Sequence, residues 1–344
     1  MKILFVGLLC LATLVLGAFA SSTSTVANTG AITTGNRWFD YVVVIMLENH
    51  GINQTYGTQC NGNCTFFNAL ANANGLALQY NSGGVSGSLG DYIAITSGEG
   101  SVQCNSSPGG GCGPYNDVNI VDRIESKHLT WKAYMEDYPG SGSGSGFSSG
   151  GCFMTSSGNY QSIHNPFIYY QDVISSSQRC SKIVAANNNI IASQIPCGSG
   201  TPPGPVETDD VFLSDLASAS TASNYVFLTP NSIDDLHDCP SGNVSLGNHY
   251  LQLLVPQILN SQVFKTQRAA LFITFDEVDP FVGNAHEQYA VWASFSSTVT
   301  KSTFKSNVQY NHYYALRTIE DNFGLSPMNV TDAGLSYNMS EFFK

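Results

Sequence analysis

Two runs of apolar residues constrain this chain more than anything else in it. Tyr41 to Leu47 reads YVVVIML and Ala269 to Phe275 reads AALFITF, and neither alternates polar with apolar. A strand with one wet face alternates. A run that does not, rich in Val, Ile and Phe, is expected to be buried on both faces, as in the sheets of α/β proteins. Each run ends abruptly in polar residues, Glu48-Asn49 after the first and Asp276-Glu277 after the second. Ligands of open α/β sheets gather beyond the carboxyl ends of the strands, so the two pairs are expected to bring hard oxygen ligands to one sheet edge. The competing expectation is that each pair satisfies its own loop backbone.

A third element, "GGVSGSLGDYIAITSGEG", joins a glycine-rich loop to a segment with helical character from Leu89 to Thr96. Ser88 stands at the start of that helix, where free N–H groups and the helix dipole favour an alkoxide or a bound phosphate. Ser88-Leu89-Gly90-Asp91 also fits a capping box, in which Ser88 does no more than cap the helix. Three histidines stand in polar surroundings: His164 in "IHNPF", His237 in "SIDDLHDC" and His312 in "QYNHYYALRTIEDNFG". Each is either a hydrogen-bonded loop residue or a catalyst. His50, His128, His249 and His286 have weaker contexts and read as structural or surface residues.

The N-terminus is Met1-Lys2 followed by "ILFVGLLCLATLVLGAFA", with small residues at Ala18 and Ala20. This pattern is that of a secretory signal cleaved before Ser21, although the apolar run is also long enough to serve as an uncleaved anchor. A Ser/Thr-rich segment then leads to Trp38, and from there to Lys344 no repeat or linker interrupts what reads as a single domain. Of nine cysteines, Cys10 lies in the leader, which leaves an even set, as expected of an exported chain with disulfides. Cys60 with Cys64 and Cys104 with Cys112 are the favoured pairings, each closing a short loop, and the irregular spacings speak against a zinc site. Asn-x-Ser/Thr sequons at Asn53, Asn63, Asn105, Asn243, Asn329 and Asn338 suit an exported glycoprotein. A formal net charge of -12 with 13 Lys and Arg disfavours nucleic acid or an anionic membrane surface as partner. Charged residues are only 11% of the chain, so its surface would change little in an acidic setting.

Seven segments, "VVVIMLENHGINQTYG", "GSLGDYIAITSG", "VDRIESKHLTWKAYMEDYPG", "HNPFIYYQDV", "FLTPNSIDDLHDC", "ALFITFDEVD" and "NHYYALRTIEDNFGL", come in a telling order. In that order and spacing the chain, from about Asp40 to Leu325, resembles the phosphoesterase family that contains acid phosphatases and bacterial phospholipases C. The resemblance implies an alkaline-phosphatase-like α/β fold with a mixed, largely parallel sheet sandwiched between helices. It implies a divalent metal held by Glu48, Asn49, Asp276 and Glu277, with Ser88 as the nucleophile. His164, Asp235, His237 and His312 then line the phosphate pocket, the histidines as catalytic groups and Asp235 as a substrate-binding one.

Where the family's phosphatases read His-Pro-Ser-x-Pro-Asn-Tyr, this chain reads Ser86-Gly87-Ser88-Leu89-Gly90-Asp91-Tyr92. Asp91 therefore replaces an asparagine, and when protonated it is expected to donate to a substrate oxygen. The phospholipases' Asp-His-Val segment is missing after Glu277, which favours the short acid phosphatase branch. The expected activity is that of a secreted, metal-assisted phosphomonoesterase working through a phosphoserine on a small phosphate ester. A phosphodiesterase or phospholipase C on the same fold, or an inactive surface binding protein, is the alternative.

Overall fold

The computed structural model describes residues 38–60, 62–85, 87–188, 190–196, 203–238, 244–278 and 287–344. The expected leader, the Ser/Thr-rich segment, Cys197, Cys239, Asn243 and His286 lie outside these residues. The strands are β1 (Tyr41–Leu47), β2 (Gly75–Asn81), β3 (Trp131–Met135), β4 (Ile183–Ala185) and β5 (Ile190–Pro196), then β6 (Pro203–Glu207), β7 (Tyr225–Thr229), β8 (Ala269–Phe275), β9 (Ala290–Ala293) and β10 (Phe304–Asn311). Eight of them form one sheet in the order β10-β2-β9-β8-β1-β7-β3-β4, and β5 pairs with β6 alone. Only β9 runs against its neighbours β2 and β8; the other pairings in the large sheet are parallel. The expected mixed, largely parallel sheet is thus present.

The lack of alternation in β1 has a direct cause. Val42, Val44 and Met46 enter one apolar core, together with Leu89, Tyr92 and Ile93 of the helix Ser88–Ser97. Val43, Ile45 and Leu47 enter the core on the other face, with Phe67, Leu251 and Val255. Every residue of β8 is likewise buried. Each such Val, Leu, Ile or Phe side chain contributes roughly 1.5–3 kcal/mol through burial, so the centre of the sheet is a rigid platform.

Register then fixes where the polar ends go. β1 and β8 are parallel neighbours with Leu47 beside Phe275, and the Asp276 N–H bonds to the Leu47 carbonyl at 2.9 Å. On the other side of β1 lies β7, whose exit loop returns so that the Glu48 N–H bonds to the Asp235 carbonyl at 2.9 Å. Three adjacent strands therefore deliver Asp276-Glu277, Glu48-Asn49 and Asp235-His237 to one edge.

Candidate active site

Ser88 does not cap its helix. Gly87 occupies the cap position with φ of 85°, a left-handed value that glycine accepts freely, and no side chain caps there. The Ser88 hydroxyl, buried, instead donates to Glu48 Oε2 at 2.9 Å, forty positions away in sequence. The capping-box expectation therefore fails, because a tertiary acceptor captures the hydroxyl. The helix spans Ser88–Ser97, all ten residues buried, and ends at Gly98 in the left-handed conformation. Gly90 lets it come close to its neighbours, since a Cβ there would lie 2.5 Å from Val85 Cγ1 and 2.9 Å from the Val102 carbonyl oxygen.

Asn49 sits at φ of 58°, which asparagine tolerates better than most residues. It donates its backbone N–H to Asp276 Oδ1 at 2.8 Å and its amide Nδ2 to Glu48 Oε2 at 3.1 Å. Asn49 thus ties the ends of β1 and β8 together. His50, expected to be structural, has its Nδ1 2.8 Å from the Glu48 carbonyl.

His164 lies between two carboxylates, Nε2 3.4 Å from Glu48 Oε1 and Nδ1 3.0 Å from Asp235 Oδ2, and its ring stacks on Tyr92 at 5.6 Å and 3°. His237 packs edge-on to it at 5.5 Å, with its own Nδ1 2.7 Å from Asp238. Between Asp235 and His237, Leu236 holds the left-handed φ of 81°, a strain of order 1–3 kcal/mol for such a residue. Gly247 makes room for it, because a Cβ there would lie 2.2 Å from Leu236 Cδ1.

His312 differs from the expectation of a free pocket group. Its Nδ1 is 3.0 Å from the Tyr80 hydroxyl and its Nε2 2.6 Å from the Asp276 carbonyl, so both ring nitrogens serve to position the end of β8. Nε2 also lies 3.5 Å from Asp91 Oδ1.

Carboxylates dominate the electrostatics. Burial first, then Asp276 and Asp235, raises the pKa of Glu48 well above the usual carboxylate range. Asp91 is pushed up to about 10 by burial, then by Asp276 and Glu277. Burial also raises Asp235 and lowers His164 to about 3 and His312 to about 4. For His237 burial acts downward, but Asp238 and Asp235 outweigh it and hold the ring above its ordinary value. Glu48 Oε1, both oxygens of Asp91 and Asp276 Oδ2 are buried and accept no hydrogen bond from the described residues. Orphaned carboxylate oxygens are costly to bury, and a divalent cation is the partner that such a donor set fits. Two groups have ligand atoms within 4.8 Å of one another: Glu48, His164 and His237, and Asp91, Asp276 and Glu277. Of the four expected metal ligands, Asp276 and Glu277 share a group with Asp91, Glu48 falls in the other with the two histidines, and Asn49 belongs to neither but donates to Glu48 and Asp276. Tyr92 and Tyr80 orient the histidines, yet in sequence a tyrosine in an apolar helix or strand reads as core.

Sheet order and helical flanks define a chain with the fold of the alkaline phosphatase superfamily. A superfamily member from Vibrio parahaemolyticus matches 91% of this chain and 74% of its own, with TM-score 0.54 and 12% identity. The phosphonate monoester hydrolase of Agrobacterium radiobacter matches 84% and 74%, with TM-score 0.53 and 9% identity. In sequence the chain is 23% identical over 222 residues to a phosphate-repressible acid phosphatase of Penicillium chrysogenum, across 64% of this chain and 46% of that protein. The matched region thus spans about half the length of that relative. No family signature matches the chain. These likenesses support a phosphoesterase family.

Proposed function

We propose that the chain is a secreted, metal-assisted phosphomonoesterase of acid phosphatase type that acts through a phosphoserine. The observation that carries this reading is the buried Ser88 hydroxyl donating to Glu48 Oε2 at the start of a helix, ringed by carboxylates with unmet oxygens. Ser88 Oγ attacks phosphorus, forming the Oγ–P bond as the ester oxygen leaves, and Glu48 in its ionised form takes the hydroxyl proton. His237 carries a proton in acidic solution and delivers it to the leaving oxygen. Asp235 stands against His164 Nδ1 at 3.0 Å, and His312 fixes the Asp276 carbonyl. Water then releases phosphate from Ser88.

Asp91, Asp276 and Glu277, with Glu48 and Asn49 at their edge, fit a hard oxygen-liganded cation. When bound, such an ion lowers the pKa of the serine hydroxyl and offsets charge on the phosphoryl group. The mixed Glu48, His164 and His237 group would hold a second ion only by displacing the His237 proton. Two ions per active chain would overturn the acid role of that residue.

Export is supported by disulfides Cys60–Cys64, Cys104–Cys112 and Cys152–Cys180, the first two as expected. Among the described residues no helix is long and apolar enough to cross a membrane. Cleavage before Ser21 and a single domain from Trp38 to Lys344 complete the proposal. The test is hydrolysis of p-nitrophenyl phosphate across pH, with and without chelator, beside bis-p-nitrophenyl phosphate. Turnover of the monoester with loss under chelator is expected; preference for the diester, or no turnover with any metal, refutes it.

A further inference from the structure

A site made almost wholly of carboxylates has few donors to offer the non-bridging oxygens of a phosphoryl group. Among the described residues, the basic side chains within 4.0 Å of Glu48, Asp91 and Asp235 are histidines. The amide of Asn49 is spent on Glu48, and both ring nitrogens of His312 are engaged. Beyond the ion that the carboxylates would hold, a neutral amide from elsewhere would give a substrate phosphate a donor that these side chains do not supply.

Asn105 meets that need from a loop outside the strand ends. Its Oδ1 accepts the backbone N–H of Leu89, the residue after the proposed nucleophile, at 3.2 Å. Its side chain lies along the turn before Ser88, with Cγ 3.7 Å from where a Cβ on Gly87 would stand. The residue is exposed, and its Nδ2 donates to no described residue. Since Leu89 fixes the oxygen, the amide is held beside the turn that leads into Ser88.

The loop is built to hold this position. Cys104–Cys112 closes it, and the Ser106 carbonyl accepts the Tyr169 hydroxyl at 2.8 Å. Ser107 Oγ pairs with Ser162 Oγ at 2.8 Å, and Ser162 opens the short helix Ser162–His164. The loop therefore bridges the nucleophile helix to the element that carries His164.

We infer that Asn105 is a substrate-binding residue whose Nδ2 donates to a non-bridging oxygen of the phosphoryl group attacked by Ser88. The inference rests on the phosphomonoesterase reading and adds to it a donor from an unrelated loop, and it requires that the sequon at Asn105 carry no glycan, whose linkage would occupy Nδ2.

Aspartate separates binding from capping. Asn105→Asp keeps an oxygen for the Leu89 N–H but loses both donors and sets a carboxylate beside the phosphate, whereas Asn105→Ala loses the cap as well. On protein made without N-linked glycans, Asn105→Asp should melt like the parent yet lose about 10- to 100-fold in kcat/KM for p-nitrophenyl phosphate, chiefly through KM. The alanine variant should be as impaired and less stable. If the aspartate variant retains parental kcat/KM, Asn105 is a helix cap only and the inference falls. If the parent itself does not turn over, the phosphatase reading fails separately. Calorimetric binding of inorganic phosphate then decides, with at least 10-fold weaker binding by Asn105→Asp expected and equal affinity overturning the inference.

Discussion

Glu320 offers a test of the electrostatics that does not depend on catalysis. It lies buried in the helix His312–Phe323, in a group of carboxylates with Asp321 and Asp332. Asp332 accepts the backbone N–H groups of Met328 and Asn329, and Asp321 accepts Arg317 Nε and Asn338 Nδ2. Among the described residues neither oxygen of Glu320 has such a donor, so Glu320 is the member that keeps a proton. Burial first, then Asp332, pushes its pKa up to about 10 from an ordinary 4.5. The folded chain therefore holds a proton that the unfolded chain loses above 4.5, and this contribution to stability is full below that value and declines as pH rises toward about 10. Between about pH 5 and pH 7 one retained proton costs about 2.5 kcal/mol of stability. Glu320→Gln is neutral in both states and removes that dependence, while every other group titrates as before. At about 2 °C per kcal/mol for a chain of this size, the melting temperature of the parent should fall by about 5 °C relative to the variant over that interval. Urea unfolding at several pH values gives the free energies directly. A parent-to-variant difference that stays constant from about pH 5 to pH 7 would show that Glu320 carries no proton.

Other expectations concern the site itself. Ser88→Ala should abolish phosphoenzyme trapping and reduce turnover by orders of magnitude, while changing stability by under about 1 kcal/mol because no cap is lost; near-normal turnover would end the nucleophile assignment. Asp276→Ala should strip most bound metal, read by elemental analysis, and full occupancy would disprove the site. For Asp91→Asn two outcomes are distinct in a kcat/KM pH profile at saturating metal. If Asp91 donates to substrate as the protonated acid, the basic limb moves upward. If it is a ligand beside Asp276 and Glu277, metal affinity drops and that limb stays; its grouping with those carboxylates makes this the expected result.

What sequence reveals here follows the range of the interactions. β1 and β8 were legible because burial on both faces leaves a local mark in composition, and their polar ends fell beside each other once parallel pairing was assumed. Ser88 was ambiguous because a cap and a nucleophile look alike within a few residues; its acceptor, Glu48, belongs to another strand. His312 resembled a pocket histidine since its neighbours are polar, yet the partners that occupy it, Tyr80 and the Asp276 carbonyl, are remote in sequence. Asn105 stood out only as a sequon. Nothing local links a disulfide loop to the backbone of Leu89.

The three disulfides among the described residues span sequence separations of 4, 8 and 28 residues, and each ties a loop to itself rather than one part of the sheet to another. Closing short loops removes less freedom from the unfolded chain than closing long ones, and the platform of β8, β1 and β7 contains none of these cysteines. Oxidation state should consequently act on the rim before it acts on the scaffold. Opening Cys104–Cys112 releases the segment that holds Asn105 against Leu89 while the buried strands keep their register. Mild reductant, followed by thiol counting, should therefore weaken phosphate binding at a dose that leaves the melting transition in place, making thiol chemistry a dial on affinity rather than a denaturant.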